Sequence, residues 1–263
     1  MIPPPIKIRP CDAGPSRLPK ELEVTCHFFG YYFSAISEKY YETQLWKQEH
    51  VLAEFIWRFK DFDELILKLF QSILKKFISS QKFNTAQSRI LWWNGKKDTH
   101  DIRCIGFVAV PPHDQTKESP VRKLIIEMVK ENPNYIDCSD LIFRSRGIAK
   151  GTRNENERYS ALNHNNDAIP LLDRVDQIII LDDVYTTGTS MKAAAYFISD
   201  IIEERMVDIQ CCAFSKTVQE NEAKNKLLTN LDKESIFFPP HIDNATDNDR
   251  SLYSKSLKNI ESS

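Results

Sequence analysis

An apolar run that ends in two adjacent carboxylates is the feature that most constrains this chain. Residues 178–181 read Ile-Ile-Ile-Leu, Asp182 and Asp183 follow, and the next seven residues are Val-Tyr-Thr-Thr-Gly-Thr-Ser. A short, β-branched apolar run of this kind is typical of a buried parallel strand. A stretch with helical character continues to residue 206. The sequence therefore predicts a strand, a hydroxyl-rich loop and a helix in direct succession.

This succession predicts a site for a sugar phosphate. The unpaired N–H groups at the start of a helix favour an anion, and Gly188 lets a ligand approach the backbone closely. The carboxylates of Asp182 and Asp183 repel phosphate but accept hydrogen bonds from sugar hydroxyls, so the ligand is expected to be a ribose 5-phosphate. The alternative is a capped turn with solvated aspartates, which leaves most of the ordered set unexplained. The hydroxyl donors predicted for the phosphate are Thr186, Thr187, Thr189 and Ser190.

The segment IIILDDVYTTGTS resembles the signature of the type I phosphoribosyltransferases. In that family the first two acids hold the ribose hydroxyls of phosphoribosyl pyrophosphate, and the loop holds its 5-phosphate. The resemblance implies that Asp182 and Asp183 are catalytic, with Asp183 as the proton acceptor. It also implies Mg²⁺ held mainly through the substrate. The implied reaction transfers ribose 5-phosphate to a nitrogen nucleophile and releases pyrophosphate.

Weaker matches resemble the ComF-like branch of this family. Residues 107–113 (FVAVPPH) look like its pyrophosphate loop, residues 57–60 (WRFK) like its lysine segment, and the polar, basic residues 144–167 like its mobile basic loop. His113 can instead simply end a strand. The resemblance implies four further substrate-binding residues, namely Lys60, His113, Arg146 and Lys150. Other cations that can face the leaving group are Lys117, Arg122, Arg144, Arg153 and Arg158.

Departures from the branch keep a second hypothesis open. The chain lacks cysteines in a zinc-binding pattern near its start, and residues 118–122 read Glu-Ser-Pro-Val-Arg where the branch has Arg-Gly-Phe-Asn-Gln. Lys150 stands where the branch has a glutamine. The alternative function is a non-catalytic sensor of phosphoribosyl pyrophosphate or a nucleotide that regulates a partner. By analogy with the branch, such a module can serve a DNA-uptake or defence system.

Composition excludes several other classes. The 263 residues are 41% hydrophobic and 27% charged, with a net charge of −2, so a direct nucleic-acid or membrane surface is not expected. The six cysteines form no C-x-x-C pair, which argues against structural zinc. No apolar run approaches the length of a membrane span. We expect a cytoplasmic protein with an unidentified acceptor and, in addition, a homo-oligomer or a protein partner.

Strands that alternate with helices predict an α/β fold with a doubly wound parallel sheet, of the type I phosphoribosyltransferase kind, plus a small N-terminal hood or extension. The predicted regions are an N-terminal extension or hood at 1–48, an α/β domain at 49–215 and a polar C-terminal segment at 216–263. Predicted strands cover 24–35 (two short strands or a hairpin), 102–110, 141–143, 177–181 and 208–214. Predicted helices cover 49–60, 63–79, 121–130 and 189–206.

Overall fold

Strands and helices alternate along most of the described chain. The computed structural model describes residues 6–8, 24–29, 31–32, 51–80, 92–93, 96–97, 104–114, 116–149, 155–202 and 207–217. The helices are α1 (Val51–Lys60), α2 (Glu64–Ser80), α3 (Pro120–Glu131), α4 (Glu155–Ser160) and α5 (Thr189–Ile202), with 3₁₀ helices at Ser139–Leu141 and Asn166–Arg174. The strands are β1 (Ile6–Ile8), β2 (Val24–Phe28), β3 (Tyr31–Tyr32), β4 (Trp92–Trp93), β5 (Lys96–Lys97), β6 (Ile105–Ala109), β7 (Tyr135–Asp137), β8 (Ile142–Arg144), β9 (Leu162–His164), β10 (Gln177–Tyr185) and β11 (Asp208–Thr217).

One mostly parallel sheet organises the fold. Its strand order is β1-β2-β11-β10-β6-β7, with β3 also paired to β11. The five strands from β2 to β7 along this order pair in parallel, and β1 is antiparallel at the edge. The predicted α/β class with a parallel sheet is therefore confirmed. Strands β2 and β3 each pair with β11, so Val24–Phe28 and Tyr31–Tyr32 form two short strands and not a hairpin.

The sheet is covered on both faces because β10 is apolar on both sides. Ile178 and Ile180 pack with α5 in one hydrophobic cluster. Ile179 and Leu181 pack in a second cluster with α1, α2 and α3, where Phe59, Phe70 and Phe214 also meet. Helices on both faces explain why this strand reads as a continuous apolar run.

The turn between α1 and α2 fixes the position of Lys60, the last residue of α1. Asp63 caps α2, since its Oδ1 accepts hydrogen bonds from the N–H groups of Leu65 and Ile66 at 3.0 and 3.3 Å. Phe62 has a positive φ of 61°, which ends α1 abruptly. The predicted helix at 63–79 is confirmed, and of the two residues that the sequence offers as its cap, Asp61 and Asp63, it is Asp63 that caps it. The turn directs Lys60 toward the carboxyl end of β10.

The strand order of the sheet reverses between β6 and β10, where a ligand crevice is expected. The chain runs from β6 outward to β7 in one direction and from β10 outward to β11 in the other, so the strand order reverses between β6 and β10. Ligands of open α/β sheets bind outside the carboxyl ends of the strands at such a reversal. The hydrogen bond from Val110 N to Leu181 O, 2.9 Å long, joins the two strand ends at this point.

Three sequence expectations need correction. The strand predicted to end at Leu181 continues to Tyr185, because β11 supplies ladder partners up to Lys216. The segment predicted as an irregular loop at 144–167 contains α4 and β9, and β9 pairs antiparallel with β8. Residues 1–20, expected to be irregular, contain β1, which pairs with β2. In all three cases the pairing partner lies far away in the sequence, so local composition gives no indication of it.

Candidate functional site

Asp182 and Asp183 lie near the carboxyl end of β10, and their side chains point to opposite faces of the sheet. Successive residues of a strand alternate in direction, and here Asp182 stands opposite Ala213 in the ladder with β11. The N–H of Asp183 donates to Asp182 Oδ1 at 2.9 Å, and the N–H of Val184 donates to Asp183 Oδ1 at 2.7 Å. Both carboxylates are therefore held close to the backbone, each with its own set of neighbours.

Lys60 is the neighbour of Asp183. Its Nζ lies 3.0 Å from Asp183 Oδ2, with the side chains 47% and 22% exposed, respectively. The two residues are 123 positions apart in sequence, so the ion pair ties α1 to the end of β10. The structure thus brings together two of the sequence-predicted site residues.

Replacing Lys60 with methionine is expected to change the free energy of unfolding by less than about 1 kcal/mol, because half-exposed ion pairs contribute little in water. Urea unfolding at low and high salt checks this, since added salt screens the pair and narrows any difference from wild type. Lys130→Met is the matched control because Lys130 pairs with Glu127 on the surface. A loss above about 2 kcal/mol would contradict this assignment and give Lys60 a packing role.

The neighbours of Asp182 raise its affinity for a proton. Burial raises the pKa of the Asp182 carboxyl well above its ordinary value, and the negative charge of Asp183 raises it further. Lys60 acts in the opposite direction but does not outweigh them. The surroundings of Asp182 therefore favour the neutral, protonated form of its carboxyl.

The loop after β10 is shaped around Gly188. This glycine has a positive φ of 77°, and a Cβ placed there would lie 2.1 Å from the Tyr185 hydroxyl oxygen. Thr187 Oγ1 and Thr189 Oγ1 are 2.8 Å apart, and Lys192 N donates to Gly188 O at 2.8 Å to begin α5. The predicted phosphate loop therefore stands at the start of a helix. Tyr185, which sets its shape, was missed by sequence reasoning; an aromatic residue three positions before a loop glycine was the available indication.

Two arginines of the basic segment face the same side as Asp182. Arg144 is 5% exposed and Arg158 is 9% exposed. Burial, and next the positive charge of Arg158, lowers the pKa of Arg144 to about 10, while Asp182 acts in the opposite direction. Burial likewise lowers the pKa of Arg158, against the opposing effect of Asp182 and Glu157. The three charged groups therefore stand close enough to interact electrostatically.

The other cations predicted from the sequence are placed differently. Arg146 is exposed and its Nη2 donates to Ser160 Oγ at 3.0 Å. Arg122 Nη2 donates to both carboxylate oxygens of Asp140 at 2.7 Å, so this nitrogen of the guanidinium is already engaged. Lys150 and Arg153 lie outside the described residues.

The segment after β6 forms the opposite wall of the crevice. Arg144 Nε donates to the carbonyl oxygens of both Pro111 and Pro112 at 3.0 Å. His113, which follows them, is exposed. This bifurcated contact pins the two carbonyls toward β8, so Arg144 links the predicted pyrophosphate loop to the basic segment. A cleft of about 400 Å³ adjoins this loop, and its lining includes Lys117, Ser119, Arg122, Asp140, Phe143 and Arg144.

Within the described residues, no group of three or more His, Cys, Asp or Glu side chains is arranged to hold a metal ion. Among the same residues, no helix has both the length and the apolar character needed to cross a membrane. A scan against models of known protein families found no match to this chain, and a search of curated proteins found none either. Evidence for function therefore comes from the chemistry of the crevice.

Proposed function

We propose that this protein is a phosphoribosyltransferase that binds Mg²⁺-phosphoribosyl pyrophosphate and transfers ribose 5-phosphate to a nitrogen nucleophile, as the resemblance to the type I family and its ComF-like branch implies. One observation carries the proposal. The acid pair of β10, the Gly188 loop, Lys60 and two buried arginines meet at the single point where the strand order of the sheet reverses. The mostly parallel sheet is compatible with the fold of that family.

Each group has a part in this reaction. The loop from Thr186 to Ser190 and the first turn of α5 hold the 5-phosphate, and the carboxylates of Asp182 and Asp183 accept hydrogen bonds from the ribose hydroxyls. Their negative charge also stabilises the positive charge that develops on the ribose ring in the transition state. Positioning of this kind supplies several kcal/mol of barrier reduction.

Proton transfer completes the reaction. The bond between the anomeric carbon and pyrophosphate breaks, a bond to nitrogen forms, and the nitrogen loses a proton to a carboxylate. The resemblance assigns this proton to Asp183, and the surroundings of Asp182 favour its neutral carboxyl, which cannot take up a further proton. Asp183 keeps its ion pair with Lys60 and serves as an anchor for the diol.

The donor set fits Mg²⁺ only together with a substrate. The two carboxylates point to opposite faces of the sheet, and they supply too few oxygens for a closed site. Mg²⁺ commonly keeps one or two carboxylates and completes its shell with water and phosphate oxygens. When bound with phosphoribosyl pyrophosphate, the ion would neutralise charge on the leaving pyrophosphate.

A thermal shift assay with phosphoribosyl pyrophosphate and Mg²⁺ tests binding. At a ligand concentration of 100 Kd, wild type should gain about 2.7 kcal/mol, or about 5–10 °C in Tm. Asp182→Asn combined with Asp183→Asn is expected to abolish the shift, because both acceptors for the diol lose their charge. Glu127→Gln with Asp173→Asn, two exposed carboxylates outside the crevice, should keep the full shift. An unchanged shift in the first double variant would show that the ribose site is assigned wrongly.

A sensor without catalysis is the second candidate. Arg122 Nη2 donates to Asp140, and Asp183 pairs with Lys60, so two groups that a transferase would turn toward its substrate are engaged with protein partners. Release of pyrophosphate, screened with nucleobases, ammonia and amines as acceptors, separates the candidates. Tight binding without release from any acceptor supports the sensor, and release with one acceptor class supports the transferase.

A further inference from the structure

We propose that Arg158 and Arg144 complete an anion site on the Asp182 face of β10, and that this site holds the 5-phosphate of the ligand together with Ser190. This inference rests on the proposed function, whose ligand it concerns. The basic segment was expected to serve pyrophosphate, at the opposite end of that ligand. The contact made by Arg158 points instead to the phosphate loop.

The position of Arg158 is the first argument. Its Nη1 donates to Ser190 Oγ at 2.5 Å. Ser190 is the second residue of α5, within the first turn, where backbone N–H groups have no partner in the helix. The guanidinium therefore stands at the start of α5, next to the Gly188 loop. Guanidinium groups bind phosphate oxygens through two parallel hydrogen bonds, which suits this location.

Charge is the second argument. Arg144 and Arg158 are both buried residues, and the positive charge of Arg158 lies close enough to lower the pKa of Arg144. Buried like charges are costly unless counter-charge is supplied. Asp182 acts on both arginines and Glu157 on Arg158, but the raised pKa of Asp182 weakens its contribution. A phosphate dianion would balance the pair, and ligand binding would then relieve the repulsion.

The third argument is that contacts of the neighbouring residue, Tyr159, hold Arg158 in place. Tyr159, the next residue, donates its hydroxyl hydrogen to the Asp200 carboxylate on α5. Its ring also packs edge-on against Phe197, with the ring centroids 5.5 Å apart. These contacts fasten α4 to α5, so Arg158 keeps its position relative to the start of α5. A preorganised arginine loses little freedom when an anion binds.

Calorimetric titration of the full chain tests this site. Inorganic phosphate and ribose 5-phosphate should both bind wild type, and Arg158→Gln should weaken each by roughly 10- to 100-fold, the range for one lost charge-assisted hydrogen-bonding group. Arg158→Lys should give an intermediate affinity because an ammonium keeps the charge but not the fork. Arg174→Gln, which removes an exposed arginine elsewhere, should bind both ligands as wild type does.

The same experiment tests the alternative that Arg158 binds pyrophosphate. Mg²⁺-pyrophosphate is titrated after ribose 5-phosphate has saturated the phosphate loop. Arg158→Gln should bind Mg²⁺-pyrophosphate within about twofold of wild type, because the hydrogen bonds lost with Arg158 are those to the 5-phosphate and not to pyrophosphate. Weakened pyrophosphate binding with unchanged phosphate binding would overturn the inference, as would equal phosphate affinities in wild type and Arg158→Gln. So would a wild type that binds neither phosphate nor ribose 5-phosphate.

The experiments also distinguish failure of the proposed transferase function from failure of the anion site. Phosphate binding that depends on Arg158, without any binding of phosphoribosyl pyrophosphate, keeps the anion site and removes the transferase. Circular dichroism and thermal unfolding establish that each variant is folded. If Arg158→Gln does not fold, the Arg158→Lys titration decides, because a Lys variant with wild-type phosphate affinity also overturns the assignment.

Discussion

Replacement of Gly188 by alanine is expected to destabilise the protein by about 2–5 kcal/mol, the largest effect on stability predicted for any single substitution considered. Two costs add. An L-residue at a φ of 77° costs about 1–2 kcal/mol, and overpacking adds about 1–3 kcal/mol. The new Cβ would lie 2.1 Å from Oη, 2.2 Å from Cζ and 2.6 Å from Cε2 of Tyr185.

Tyr185 has little room to move away from this Cβ. The residue is buried, and its ring packs edge-on against Phe28, with the ring centroids 5.0 Å apart. The loop would therefore have to move instead, which would shift the N–H groups proposed to hold the phosphate. We expect Gly188→Ala to lose binding of ribose 5-phosphate in calorimetry, in addition to the stability loss measured by urea unfolding.

Gly147→Ala is the matched control. A Cβ at Gly147 would meet no atom within 4 Å, and this glycine does not have a positive φ. The expected change in stability is within about 0.5 kcal/mol, as for surface substitutions in general. Gly188→Asn separates the two costs at the loop, because asparagine tolerates the left-handed conformation but still places a Cβ against Tyr185. Equal stability of the Gly147 and Gly188 alanine variants would contradict the geometry of the loop.

Replacement of Asp182 by asparagine is expected to stabilise the protein at alkaline pH while it removes ligand binding. The folded-state pKa of Asp182 lies well above the ordinary value of 3.8. The fold therefore favours the protonated carboxyl, and its contribution to stability is full below the unfolded pKa and is lost as pH rises through the folded pKa. Asparagine carries no charge to bury, so it escapes this loss.

The expected signature is a difference in Tm that grows with pH. Asp182→Asn should match wild type in acid and exceed it above the folded pKa, by an amount on the order of 1 kcal/mol, since one pKa unit corresponds to about 1.4 kcal/mol. The groups that set this balance are Asp183 and Lys60 on one side and Arg144 and Arg158 on the other. A scan of Tm from acid to alkaline pH for both proteins measures it.

Asp182→Asn should weaken ligand binding, in contrast to its gain in stability. Loss of a charged acceptor for the ribose hydroxyls costs about 1.5–3 kcal/mol, or roughly 10- to 100-fold in the affinity for phosphoribosyl pyrophosphate. Asp173→Asn is the matched control for stability: it removes an exposed carboxylate outside the crevice and should bring no gain in Tm at alkaline pH. If Asp182→Asn is less stable than wild type across the whole pH range, the carboxylate serves to balance the buried arginines. Such an exchange of stability for function is common at binding sites.

Local patterns were sufficient for several parts of the fold. The apolar stripe of α2 and its cap at Asp63 follow from residues within one or two helical turns. The buried strand β10 follows from a run of branched apolar side chains, and the loop after it from one glycine among hydroxyls. In these segments the sequence and the tertiary contacts favour the same structure, as local consistency requires.

Long-range pairing decided the rest. The extension of β10 to Tyr185 depends on β11, and the order within the basic segment depends on β8 and on α5. The sequence offered several arginines with similar surroundings, and packing buried Arg144 and Arg158 while it left Arg146 exposed. Composition cannot rank such residues, because burial is a property of the elements that cover them.

The sequence by itself determined the chemistry of the carboxyl end of β10: two acids, a hydroxyl loop and a glycine in fixed order, which specify a ribose and its phosphate as the expected ligand. Only the tertiary structure decided which face each acid occupies and which cation it meets, Lys60 for Asp183 and the two buried arginines for Asp182. The physical reason is that the functional group of each side chain is known from the residue type alone. The charge balance of a site depends on distances between residues that are not neighbours in sequence, from 24 positions apart for Arg158 and Asp182 to 123 for Lys60 and Asp183, and only the packing of helices and strands sets these distances.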